Sequence, residues 1–171
     1  SSYPQGYKEN GSIFCHSNPW VMIAETRLGN AERAFAYYLA INPSKREEIS
    51  EVHRCEPYIY AQTIAGKEAY SHGEAKNSWL TGTASWNYVA ITQWILGIRP
   101  TFAGLEISPV IPAGWQGFQA RRKVRGVVYA IEVERGSQPG VWVNQQKVAG
   151  NLVPYAGETG AVVQVKVVVA V

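Results

Sequence analysis

Nothing in these 171 residues is long and apolar enough to cross a bilayer, which takes about 20 consecutive residues as a helix. The longest apolar run, residues 161–171, is short and carries Gln164 and Lys166. No secretory leader is expected from the opening residues Ser-Ser-Tyr-Pro-Gln-Gly, which have neither a basic segment nor an apolar one. It lacks an initiator methionine, so we expect a piece of a longer polypeptide. Charge is sparse and scattered, 17% of residues with a net charge of +3, which argues against nucleic acid as a partner. One basic cluster, Arg121, Arg122, Lys123 and Arg125, borders apolar residues and reads as a solvated strand face. Cysteine is scarce. Cys15 and Cys55 are too few for a disulfide framework and read as buried reduced thiols of a cytoplasmic protein. Each has a histidine beside it, His16 and His53, but such tight pairs lack the spacing of a zinc site, so no metal is expected.

What is present is apolar and patterned. With 46% hydrophobic residues the chain holds one ordinary domain or two small pieces. Its character changes near Pro100. Before it, helices are expected over 19–28, opened by Pro19 and closed by Gly29, over 31–41, and over 57–65, opened by Pro57 and closed by Gly66. Ser17 or Asn18 is expected to cap the first. Residues 44–50 read as a charged loop. After Pro100, strands are expected over 105–108, 118–125, 127–135, 141–143, 152–155 and 161–171, forming an antiparallel β-sandwich with no chemistry of its own. The domains read as 1–99 and 100–171, and the fold class as α+β.

The chain is organised around residues 72–86, His-Gly-Glu-Ala-Lys-Asn-Ser-Trp-Leu-Thr-Gly-Thr-Ala-Ser-Trp. Beyond it Trp86, Val89, Ala90, Gln93, Trp94 and Gly97 recur at helical spacing, so a helix starts near Thr81, Gly82 or Thr83. Threonine caps helices, and glycine lets the backbone approach a ligand. Unpaired amides in a first turn suit an anion, although a plainly capped helix accounts for the same residues. His16 falls in the loop ahead of the first helix. Tyr3, Tyr7, Lys8, Glu9 and Asn10 form an aromatic and polar loop suited to a sugar, or simply to solvent.

Three stretches carry a resemblance. Residues 8–20 (KENGSIFCHSNPW), 48–58 (EISEVHRCEPY) and 73–86 (GEAKNSWLTGTASW) resemble the C-terminal portion of the inverting disaccharide phosphorylases of glycoside hydrolase family 94, to which cellobiose phosphorylase belongs. That resemblance implies the last helices of an (α/α)6 barrel followed by a C-terminal β-sandwich. It also implies a reaction in which inorganic phosphate, a substrate rather than a cofactor, cleaves a β-glucosidic disaccharide with inversion to give α-glucose 1-phosphate. Cellobiose is the expected disaccharide. His16, Thr81 and Gly82 match the phosphate-holding positions, and Tyr3 and Lys8 match positions lining the acceptor sugar.

The family's general acid, an aspartate, and an arginine that helps hold phosphate match nothing here; Glu51, Glu56 and Glu74 do not stand where the acid does. The piece is therefore expected to be inactive alone and to work with the remainder of the same enzyme, a homodimer at full length. Cellodextrin, laminaribiose, chitobiose or cellobionic acid as substrate, the phosphorylase-like domain of a β-glucan synthase, and a non-catalytic carbohydrate-binding or scaffold module are the other readings.

Overall fold

Helices dominate the first half of the chain and strands the second, as the switch from a 3.6-residue to a 2-residue apolar period requires. The computed structural model describes residues 2–155 and 157–171, and the fold is α+β. The chain forms two compact units, Ser1–Ile91 and Thr92–Val171.

In the first unit α1 (Asn18–Arg27) and α2 (Ala31–Ile41) form a helical hairpin. Pro19 sits in the first turn of α1. Gly29, at φ 77°, reverses the chain after it in the left-handed conformation that glycine adopts without strain. Asn30 donates to the Glu25 carboxylate at 2.8 Å, fastening the turn. Met22, Ile41, Cys15, Ile64 and Ala90 pack together as this unit's core. Ser17 and Asn18 do not cap α1 as expected. Both side chains donate back to the Phe14 carbonyl, at 3.1 and 2.7 Å, and fasten the loop that carries His16.

Residues 44–50 are not an open loop. They wind through two 3-10 turns, Pro43–Lys45 and Glu47–Ile49, into α3 (Ser50–His53), because the Asn42 side chain accepts the Ser44 amide and starts the winding.

The helix expected over 57–65 does not form. Pro57 leads into a turn and an extended segment that ends in β2 (Thr63–Ile64). This strand lies between β1 (Ile13–Phe14) and β3 (Ala75–Lys76), both antiparallel to it. Ile59, Thr63 and Ile64 are β-branched and stiff at χ1, which favours a strand over a helix.

Helix α4 (Thr83–Val89) continues through one π-helical stretch, Ala90–Ile95, and ends at Gly97, φ 67°.

The second unit holds two sheets sharing one core. β4 (Ile98–Pro100), β5 (Gly104–Ile107) and β10 (Leu152–Pro154) form a three-stranded sheet in the order β10-β5-β4. β6 (Gly117–Val124), β7 (Val127–Arg135), β8 (Gly140–Val143), β9 (Gln146–Lys147) and β11 (Val162–Val169) form a five-stranded sheet in the order β6-β7-β11-β8-β9. Tyr129, Ile131, Val133, Val165 and Val167 from the larger sheet meet Leu105, Ile107 and Val153 from the smaller.

The all-antiparallel expectation is corrected here: β11 pairs with β7 in parallel, Val162 beside Val128 through Val169 beside Arg135. The chain visits β8, β9 and β10 between them, a connection long enough for a parallel return. Alternating burial is the same in either strand direction, so the pattern carried no polarity.

Candidate functional site

The segment misread as a helix is what assembles the first unit's polar residues. At Ala61 the carbonyl accepts the Thr83 hydroxyl at 3.1 Å, tying the segment to the start of α4. One residue on, the Gln62 carbonyl accepts the Cys15 amide at 2.8 Å, tying it to the loop of His16. The Gln62 side-chain oxygen accepts Lys8 Nζ at 2.7 Å and Asn77 Nδ2 at 3.0 Å. Two consecutive residues thus tether three loops distant in sequence. Gln62 went unnoticed in the sequence, where the alternation around Ile59, Ala61 and Thr63 was the available signal.

His16 and Gly82 meet. A Cβ added to Gly82 would lie 2.7 Å from His16 Cε1, 3.2 Å from Nδ1 and 3.6 Å from Nε2, so the imidazole rests on the glycine's bare Cα. Gly82 has φ −78°, ordinary for any residue; glycine's role here is space rather than conformation. Both residues are half-buried, reachable by a small solute.

Thr81 makes a side-chain turn just ahead of α4, whose N-cap is Gly82. Its hydroxyl oxygen accepts the Thr83 amide at 3.1 Å and shares a 2.6 Å hydrogen bond with the Thr83 hydroxyl. Because buried Thr83 gives its proton to Ala61, the Thr81 proton points to Thr83. The first intrahelical bond is Trp86 N–H to Gly82 C=O, which puts the amides of Ala84 and Ser85 in the turn ahead of the regular ladder.

Lys8 is carried on a tight turn, φ 46°, closed by Gly6 N–H to Asn10 C=O at 2.7 Å. Tyr3 stands 45% exposed, its carbonyl accepting the Asn10 side-chain amide at 2.8 Å. The structure gives Lys8 a partner in Gln62; Tyr3 remains at the loop's exposed end.

The carboxylates near these loops are held ionised. Lys76, 2.7 Å away, and the Ser71 hydroxyl hold Glu74 below the usual carboxylate range. Its own backbone amide and the Trp79 indole do the same for Glu56. A carboxyl kept ionised suits structure and charge pairing rather than proton donation. Of the two thiols Cys15 is buried as expected, and burial pushes it up to about 12. Cys55 is only half-buried, against the expectation, beside the Glu56 carboxylate at 3.6 Å. Among the described residues no three His, Cys, Asp or Glu side chains gather as a metal site requires, and no helix is long and apolar enough to cross a membrane.

The family described as the glycosyl hydrolase 94 superfamily, catalytic domain, matches residues 1–97. An N,N'-diacetylchitobiose phosphorylase of Vibrio proteolyticus is 48% identical over 130 residues, 76% of this chain and 16% of that protein. The cyclic beta-(1,2)-glucan synthase NdvB of Rhizobium meliloti is 37% identical over 142 residues, 81% of this chain and 5% of that protein. A solabiose phosphorylase of Paenibacillus borealis is 29% identical over 163 residues, 92% of this chain and 21% of that protein. The chain therefore spans 16% of the length of the first of these relatives and 21% of the last.

Proposed function

This chain belongs to the glycosyl hydrolase 94 superfamily, and from that premise we propose that it forms the phosphate-gripping part of an inverting disaccharide phosphorylase. The observation that carries this reading is the imidazole of His16 seated on Gly82, beside Thr81 and the first turn of α4. An anion there would meet a ring nitrogen of His16 and the backbone amides of the helix start, donors of the kind that hold phosphate. Thr81 would join by turning its hydroxyl from Thr83 to the anion while still accepting the Thr83 amide. Lys8, steadied by Gln62, and Tyr3 would face the acceptor sugar.

In such a reaction phosphate attacks the anomeric carbon from the face opposite the leaving sugar, and a separate acid protonates the departing oxygen. The nucleophile is already an anion, so no base is needed to activate it. The acid has to come from outside this chain: all thirteen acidic residues are glutamates, and Glu56 and Glu74 are held ionised. Hence the chain alone is taken to be inactive, completed by the rest of the enzyme, with 1–99 as the final helices of an α/α barrel and 100–171 as a closing β-sandwich.

Cellobiose is not supported as the substrate. Identities of 48% and 47% to N,N'-diacetylchitobiose phosphorylases favour a β-linked disaccharide of N-acetylglucosamine. Titration with inorganic phosphate, following the Gly82 amide by NMR, tests the grip. A saturable shift is expected, with affinity about tenfold lower in His16→Ala and in Thr81→Ala. No shift at Gly82, or one indifferent to both variants, removes the assignment. Incubation of this chain with chitobiose and phosphate is expected to release no sugar phosphate; turnover would place the acid within it.

A further inference from the structure

Phosphorolysis leaves the outer face of the five-stranded sheet unused, and we propose that this face binds a neutral β-linked gluco-oligosaccharide. One row of cross-strand partners runs Lys147, Trp142, Lys166, Glu132, Gln119 over β9, β8, β11, β7 and β6. Partners in register project to the same side of a sheet, and the residues alternating with these form the core. A concavity of about 930 Å³ lies over the row, lined by Trp142, Lys166, Glu132 and Gln119 and flanked by Gln164 and Gln138.

Trp142 is held in place on this face. Lys147 Nζ stands 5.1 Å from its ring centroid. Gly140 leaves room beneath: a Cβ there would lie 3.1 Å from Trp142 Cη2 and 2.8 Å from Lys147 Cε. The charges in the lining cancel. Within the lining Arg121 and Lys166 are matched by Glu132 and Glu134, with Lys166 paired to Glu134 at 2.9 Å, while Lys147 beyond it is engaged on the Trp142 ring. The glutamine amides both donate and accept, as a sugar hydroxyl does. An indole with one side engaged by Lys147, with amides around it and with the charges of the lining paired, fits a ligand with apolar ring faces and a neutral hydroxyl rim. Three strand-to-strand steps of about 4.8 Å separate Trp142 from Gln119, a straight run of about 14 Å. An extended β-1,4-linked chain follows such a line, whereas an α-1,4-linked chain curves away from it.

The test is calorimetric titration of the 171-residue chain with cellotetraose and maltotetraose, with the indole N–H signals followed by NMR. Saturable cellotetraose binding that shifts the Trp142 signal is expected. Affinity should fall about tenfold in Trp142→Ala and in the exposed-site variant Gln164→Ala, and maltotetraose should bind about tenfold more weakly. Gln164→Ala guards against misfolding of the tryptophan variant. Absence of binding, shifts confined to tryptophans other than Trp142, indifference to both variants, or equal binding of the two sugars would each overturn the proposal. Phosphate affinity at Gly82 is read separately, so failure here leaves the phosphorolysis reading standing, and the converse.

Discussion

At the scale of single residues, the contact between His16 and Gly82 makes a sharp prediction because it is steric. Alanine at 82 suits the backbone but drives a methyl to 2.7 Å from the imidazole. Gly82→Ala should therefore destabilise the chain by about 1–3 kcal/mol, the usual cost of overpacking. In a His16→Ala background the same change should be close to neutral, so urea denaturation of the double-mutant cycle should show strong coupling. Cys15 offers a second test. Buried and pushed up to about 12, it should resist iodoacetamide at neutral pH until the chain unfolds, which mass spectrometry of partly denatured samples would read. His16, Thr81, Lys8 and Tyr3 were legible as candidates because their residue types and neighbours matched a known pattern. Gln62 was not, since its importance lies in accepting Lys8 and Asn77 from loops far along the chain.

Among the elements, the segment from Ala61 to Ile64 matters most, and it is the one that the periodicity misassigned. Proline at the start and glycine at the end marked a helix, but helix propensity is a weak prior that tertiary pairing overrides. Between β1 and β3 the segment's backbone groups find partners that a helix would have denied them. Thr83→Val removes the hydroxyl bound to Ala61 and leaves a buried carbonyl without its donor. A loss of about 1–3 kcal/mol is expected, along with increased hydrogen exchange across residues 61–64. Helix α2 and strand β7 formed at the bounds read from sequence, 31–41 and 127–135, because their own apolar pattern and the turn residues on either side define them. The direction of β11 beside β7 had no such local signature.

For the whole molecule, pH links one buried side chain to global stability. Burial holds His53 below its ordinary value although it faces the Gly73 carbonyl, so the unfolded chain takes up a proton before the folded one does. That stabilisation is complete above about pH 6.5 and is lost as the pH falls from there through the folded value. The urea midpoint should accordingly drop between about pH 7 and pH 5, and His53→Gln should flatten that slope. Glu56 and Glu74, held below 4.5, lose their contribution only in stronger acid. The sequence alone determined the α+β class, the exchange of helix for strand near Pro100 and the family, because apolar period, caps and long motifs are written along the chain. Tertiary structure alone decided that residues 61–64 would be extended, that β11 would run parallel to β7, and that an imidazole would rest on a glycine 66 positions away. Local propensity acts over a few residues, whereas pairing partners and close approach are set by which distant segments the buried core brings together.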